Sequence, residues 1–158
     1  MRKLLVLNGP NLDILGTRQP EFYGTTTLAE LGKCLAELAA RNNVELDFFQ
    51  TNYEGAAVEK LHAARGTVDA IIINPASFTP YGVAVRSALV ASEVPAILVH
   101  ISNIYARTDA PDRHRDVIAP VVIGQVCGLG IYGYLLAFHA ALRHLGGGLQ
   151  SLQDIKFD

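Results

Sequence analysis

The feature that most constrains what this chain can fold into is a set of five short apolar runs separated by segments of helical period. Leu4, Leu5, Val6 and Leu7 form the first, and Asn8-Gly9-Pro10 stops it. Continuous apolarity over so few residues suits a strand buried on both faces. Leu28, Leu31, Leu35, Leu38 and Ala39 then recur at helical spacing, and Thr27 with Glu30 three residues on fits a capping box at the helix start. A second strand is predicted over residues 45–50, with Val44, Leu46 and Phe48 on one face. Residues 56–64 read as a helix, 70–73 as the clearest strand, 83–91 as a short helix and 96–99 as another buried strand. Val121, Val122 and Ile123 are expected to form the fifth strand. Residues 128–145 then give a last helix, stopped by Gly146-Gly147-Gly148. The tail after Gly148 has no clear period and is expected to be poorly ordered.

Strands alternating with helices predict an α/β fold, a parallel sheet with helices on both faces. Right-handed crossovers leave few topologies, and a flavodoxin-like, doubly wound five-stranded sheet is the expectation. The 158 residues suffice for one catalytic domain, and no internal repeat, low-complexity segment or linker divides them. Ligands of such sheets bind beyond the carboxyl ends of the strands. That directs attention to the polar residues at 8–11, 50–54, 74–77 and 100–103.

A formal net charge of −2 gives no general basic field for nucleic acid or anionic lipid, and residues 107–115 are the one candidate for a local basic patch. Cys34 and Cys127 are too few for a disulfide framework and have no metal-ligand spacing, as expected of thiols in a reducing compartment. The apolar run near Met1 is too short for a signal peptide and lacks a small-residue cleavage site. No apolar stretch is long enough to span a bilayer. A cytoplasmic protein without membrane or nucleic-acid partners is expected.

Gly128-Leu129-Gly130-Ile131-Tyr132-Gly133 matches the dinucleotide fingerprint G-x-G-x-x-G. That fingerprint needs a further strand with an acidic residue about twenty positions on. Only a helix and a tail remain, so these glycines are read as permitting close helix packing near the fifth strand. Ser77 and Ser102 follow strands and His100 lies two residues from Ser102, but no G-x-S-x-G elbow accompanies them. His62, His100, His114, His139 and His144 show no ligand spacing with carboxylates, so no metal site is expected. What remains is the long polar, glycine-rich segment 8–24. Loops of that length in compact domains are usually functional. Within it Arg18 precedes Tyr23 by five residues, which suggests a phenol near a guanidinium.

The segment N-G-P-N-L-x-x-L-G-x-R-x-P-x-x-Y-G, from Asn8 to Gly24, resembles the signature of type II 3-dehydroquinate dehydratases. Further matches follow in order: Gln50-Thr51-Asn52 with Glu54-Gly55, Asn74-Pro75, Val99-His100-Ile101-Ser102-Asn103 with Ala106-Arg107, and Gly128-Leu129-Gly130 with Gly133-Tyr134. The resemblance spans roughly residues 3–145. It implies removal of water from 3-dehydroquinate through an enolate, in aromatic biosynthesis or quinate breakdown, with no metal or organic cofactor. Tyr23 would be the base, helped by the cations Arg18 and Arg107. A free phenol ionises only near pH 10, so such help is needed at neutral pH. Asn11 would stabilise the enolate oxygen through a water, and His100, assisted by Asn74, would protonate the departing hydroxyl. The backbone at Ile101 and Ser102, with the Ser102 hydroxyl, would hold the substrate carboxylate, and Arg113 would contact the ring hydroxyls. The family's assembly, trimers grouped into a dodecamer, is implied as well.

Four departures from the family pattern stand out. Pro80 replaces a histidine that binds ring hydroxyls. Leu98 replaces a glutamate that orients the catalytic histidine, leaving His100 unsupported from that side. Ser87 replaces an aspartate that reaches a neighbouring subunit, and residues 108–116 carry a two-residue insertion that bears on Arg113. A divergent member is expected. The alternatives are a lyase or isomerase acting on another cyclic hydroxy-acid, or a non-catalytic ligand-binding relative.

Overall fold

A computed structural model of the chain describes residues 1–146, so the expectation for the tail after Gly148 lies outside the described residues. Five strands, β1 (Arg2–Asn8), β2 (Val44–Gln50), β3 (Ala70–Asn74), β4 (Ala96–His100) and β5 (Gly124–Cys127), form one parallel sheet in the order β2-β1-β3-β4-β5. This is the flavodoxin-like order, with its switch point between β1 and β3.

Strand alternation sorts the core into two layers. Leu4, Val6, Ile72, Ile97 and Val99 face α2 (Leu28–Arg41) and α5 (Tyr132–His144). Leu5, Leu7, Ile71, Ile73 and Leu98 face α3 (Glu54–Ala64) and α4 (Val83–Ser92). Because both faces are covered, the strands read as unbroken apolar runs rather than alternating ones. The predicted capping box is present: the Thr27 hydroxyl accepts from the Glu30 amide at 3.2 Å, and the Thr27 amide donates to Glu30 Oε2 at 2.8 Å.

Two expectations at the C-terminal end need correction. The fifth strand is not Val121, Val122 and Ile123. Residues Ala119–Val121 form a 3-10 turn, and the strand is the more polar Gly124–Cys127. Val121 and Val122 are apolar because they pack as loop against the α3/α4 layer, whereas β5 is an edge strand whose first residues are exposed. The last helix begins at Tyr132 rather than Gly128, because Gly128 and Gly130 adopt φ values of +86° and +59°. A Cβ on Gly128 would sit 2.8 Å from Asn103 Cβ, and one on Gly133 would sit 3.3 Å from Val99 Cγ1. Close packing is therefore the role of Gly128 and Gly133, whereas Gly130 has open space around a Cβ and serves only its left-handed turn.

Candidate active site

The carboxyl ends of β1, β3 and β4 open into a cleft at the switch point. Asn11, Arg18, Tyr23, Asn74, His100, Ile101, Ser102 and Arg113 all line it. The segment between β1 and α2 folds over the cleft as a 3-10 turn (Leu12–Ile14) and a short helix α1 (Pro20–Tyr23), pinned by buried Leu12 and Leu15. Tyr23 ends α1 and points its phenol at two guanidinium groups. Arg107 Nη1 donates to the hydroxyl at 3.2 Å and Arg113 Nη1 at 3.1 Å. The Arg18 guanidinium carbon lies 5.3 Å from the Tyr23 ring centre. Partial burial alone would push the phenol's pKa up. The hydrogen bond from Arg107 and the charges of Arg113, Arg107 and Arg18 outweigh it and hold the pKa below the ordinary tyrosine value.

Arg107 itself lies in the wall beside the cleft, 5 % exposed. Its guanidinium carbon sits 3.8 Å from the Phe22 ring centre, and its Nε and Nη2 grip the two oxygens of Asp109. The His114 ring contacts the Arg107 carbonyl at 2.9 Å. The residues at 108–116 thus brace Arg107 and bring Arg113 onto the phenol.

His100 ends β4 on the α3/α4 side of the sheet, two residues from Leu98. Leu98 is fully buried among apolar side chains and offers no acceptor. The imidazole is nevertheless supported, because Asp116 Oδ2 lies 2.7 Å from His100 Nε2. Asn74 does not reach His100. It ends β3 on the opposite face, where its Nδ2 donates to the Tyr134 hydroxyl at 2.8 Å and its Oδ1 accepts from the Ala76 amide. The Tyr134 hydroxyl in turn donates to Asn8 Oδ1 at 2.6 Å. Burial pushes the Tyr134 pKa up, with the Asn74 hydrogen bond only partly offsetting it. The two tyrosines therefore differ in kind: Tyr134 is a neutral strut and Tyr23 a phenol made acidic.

Asn11 takes a left-handed conformation (φ 66°), and its amide donates to Asn52 Oδ1 at 2.8 Å. Asn52 Nδ2 in turn donates to Asp13, so the end of β2 holds the loop that presents Asn11. The Ile101 and His100 carbonyls accept from the Gly130 and Gly128 amides, which ties the turn after β4 to the glycine-rich loop. Pro80 is buried and is not among the cleft residues, while Ser77 is. Ser77 falls in the strand-end stretch 74–77 to which the sequence directs attention, whereas no motif marks Asp116. Asp116 lies in a loop of no period, so only its charge beside a basic cluster could have drawn attention.

Fold and site together define a flavodoxin-like α/β protein with a strand-end cleft in which a phenol meets guanidinium groups. The model of the family Dehydroquinase class II matches residues 2–142. The chain is 50 % identical over 147 residues to the 3-dehydroquinate dehydratase of Anoxybacillus flavithermus, covering 93 % of this chain and 98 % of that protein. It is 46 % identical over 143 residues to the catabolic 3-dehydroquinase of Verticillium alfalfae, with 90 % and 94 % covered. The crystal structure of the type II dehydroquinase from Butyrivibrio crossotus matches with a TM-score of 0.85 at 39 % identity, covering 89 % of this chain and 97 % of that one. The chain belongs to the class II dehydroquinase family.

Proposed function

We propose that this chain eliminates water from 3-dehydroquinate to give 3-dehydroshikimate. The observation that carries the reading is the Tyr23 phenol held by two guanidinium groups at hydrogen-bond distance. Tyrosinate takes the proton from the carbon beside the ketone, and the C–H electrons pass to the carbonyl oxygen as an enolate. Asn11, acting through a water, stabilises that oxygen, a role suited to a neutral donor in a cleft. The enolate then re-forms the ketone, its C=C electrons shift to make the new ring double bond as the C–O bond breaks, and His100 delivers a proton so that the hydroxyl leaves as water. Ile101 and Ser102 hold the substrate carboxylate, Arg18 and Arg107 favour tyrosinate, and Arg113 meets the ring hydroxyls beside the base. Asn74 is read as a support of the cleft floor through Tyr134. These proton transfers balance without a metal or organic cofactor.

Incubating purified protein with 3-dehydroquinate and following the product's absorbance tests this directly. Turnover that Tyr23→Phe reduces by about 10²–10⁴-fold is expected, the usual worth of a positioned base. A folded wild-type protein that leaves 3-dehydroquinate unchanged would refute it. One observation favours a second reading: Pro80 has neither a side-chain donor nor a backbone N–H for a ring hydroxyl. An enzyme for another cyclic hydroxy-acid would ignore 3-dehydroquinate but still lose its activity with Tyr23→Phe.

The reading extends to a cytoplasmic homo-oligomer of trimers grouped into a dodecamer. Free Cys34 and Cys127 accord with a reducing compartment, and among the described residues no helix is long and apolar enough to cross a membrane. Exposed Tyr81, Val83 and Val90, at and along α4, are apolar surface of the kind that subunit contacts cover. Sedimentation giving only monomer would refute the assembly.

A further inference from the structure

We infer that Asp116 is the positioning residue for His100, fixing which ring nitrogen carries hydrogen and which faces the substrate. The inference rests on His100 acting as the acid in the reaction proposed above, and it adds a residue that no motif marks. Three observations carry it. First, Asp116 Oδ2 lies 2.7 Å from His100 Nε2, and the two side chains are only 2 % and 4 % exposed. Second, the carboxylate is itself immobilised. Its Oδ1 accepts from the Ile118 amide at 2.8 Å and the Ala119 amide at 3.0 Å. Ile118 is fully buried in the α3/α4 layer, and the neighbouring Val117 amide donates to the Thr79 carbonyl at 3.0 Å. Third, Leu98 occupies the preceding position on the same strand face and is apolar, so among the described residues Asp116 is the partner of the imidazole.

The chemistry follows from what a carboxylate can do. Ionised Asp116 only accepts, so His100 Nε2 must carry hydrogen. Nδ1 is then the nitrogen left to take and give the proton of the reaction. A carboxylate held by two backbone amides and a core residue cannot follow the ring if it rotates. It therefore sets the ring's orientation as well as its tautomer.

The decisive readout is the imidazole itself. Nitrogen-15 NMR of His100 in the wild-type protein near neutral pH should show hydrogen on Nε2. Asp116→Asn keeps an oxygen for the Ile118 and Ala119 amides but can present an amide N–H to the ring, and should move the hydrogen to Nδ1. With 3-dehydroquinate, Asp116→Asn should lower kcat about 100-fold, the lower range for losing a general acid, with KM changed less than about threefold. Asp116→Glu, which restores the charge, should recover part of kcat. Wild-type His100 carrying hydrogen on Nδ1 would overturn the inference, as would an Asp116→Asn enzyme with unchanged kcat. A fall in thermal stability with the tautomer and kcat unmoved would also overturn it, leaving Asp116 a structural ion pair. Absence of turnover in the wild type would instead sink the proposed reaction, while the NMR result would still decide Asp116.

Discussion

Arg107 donates from Nη1 to the Tyr23 hydroxyl across 3.2 Å while the rest of its guanidinium is locked by Asp109. A base that works as tyrosinate is active only above its pKa, so the guanidinium groups extend activity towards neutral pH. Arg107→Gln removes one hydrogen bond and one charge and lets the phenol's pKa rise towards its ordinary value. The rising limb of the kcat/KM profile should move alkaline by about one pH unit, the low end for loss of a close opposite charge. Activity at neutral pH falls by about tenfold for each unit of that shift. A pH–rate profile of the variant checks both.

Tyr134 bridges Asn8 and Asn74, which sit opposite each other on paired strands beneath the cleft. Tyr134→Phe keeps the ring packed but strips both amides of a buried partner. Urea unfolding should show a loss of about 1–3 kcal/mol, the cost of leaving a buried polar group unmade. An unchanged midpoint would mean that water replaces the hydroxyl.

Thr27 and Glu30 cap α2 reciprocally, and neither lines the cleft. Thr27→Ala should cost about 1 kcal/mol of stability and leave kcat and KM where they are. Chemical denaturation beside a steady-state assay separates the two effects.

Gly128 holds φ at +86°, and a Cβ added there would sit 2.8 Å from Asn103 Cβ. Gly128→Ala should cost about 1–2 kcal/mol from the left-handed backbone alone. Its Cβ should also displace the turn at residues 101–103 and raise KM for a carboxylate-bearing substrate more than it lowers kcat. Thermal unfolding and initial-rate kinetics measure both.

The strands β1 to β4, the capped start of α2 and the loop carrying Asn11, Arg18 and Tyr23 were legible because each is announced by neighbours in the chain. The fifth strand was not. Val121 and Val122 look like a strand because they are apolar, yet they earn their burial as loop, and the true edge strand is half polar. The supposed support of His100 by Asn74 failed for a similar reason. Spacing puts both at strand ends, but β3 turns Asn74 to one face of the sheet and β4 turns His100 to the other.

From its order of residues alone, this protein was bound to be a parallel α/β sheet with a long loop bearing Arg18 and Tyr23 over the ends of its strands. Periodicity, caps and turn residues act over a few positions, and those are written along the chain. Which acid meets His100, which amides meet Tyr134 and which arginines hydrogen-bond the Tyr23 hydroxyl were settled only when distant segments packed. Such pairings span from 16 to 126 positions. They depend on which face of the sheet each side chain takes and on how the loops are anchored, and neither is carried by local pattern.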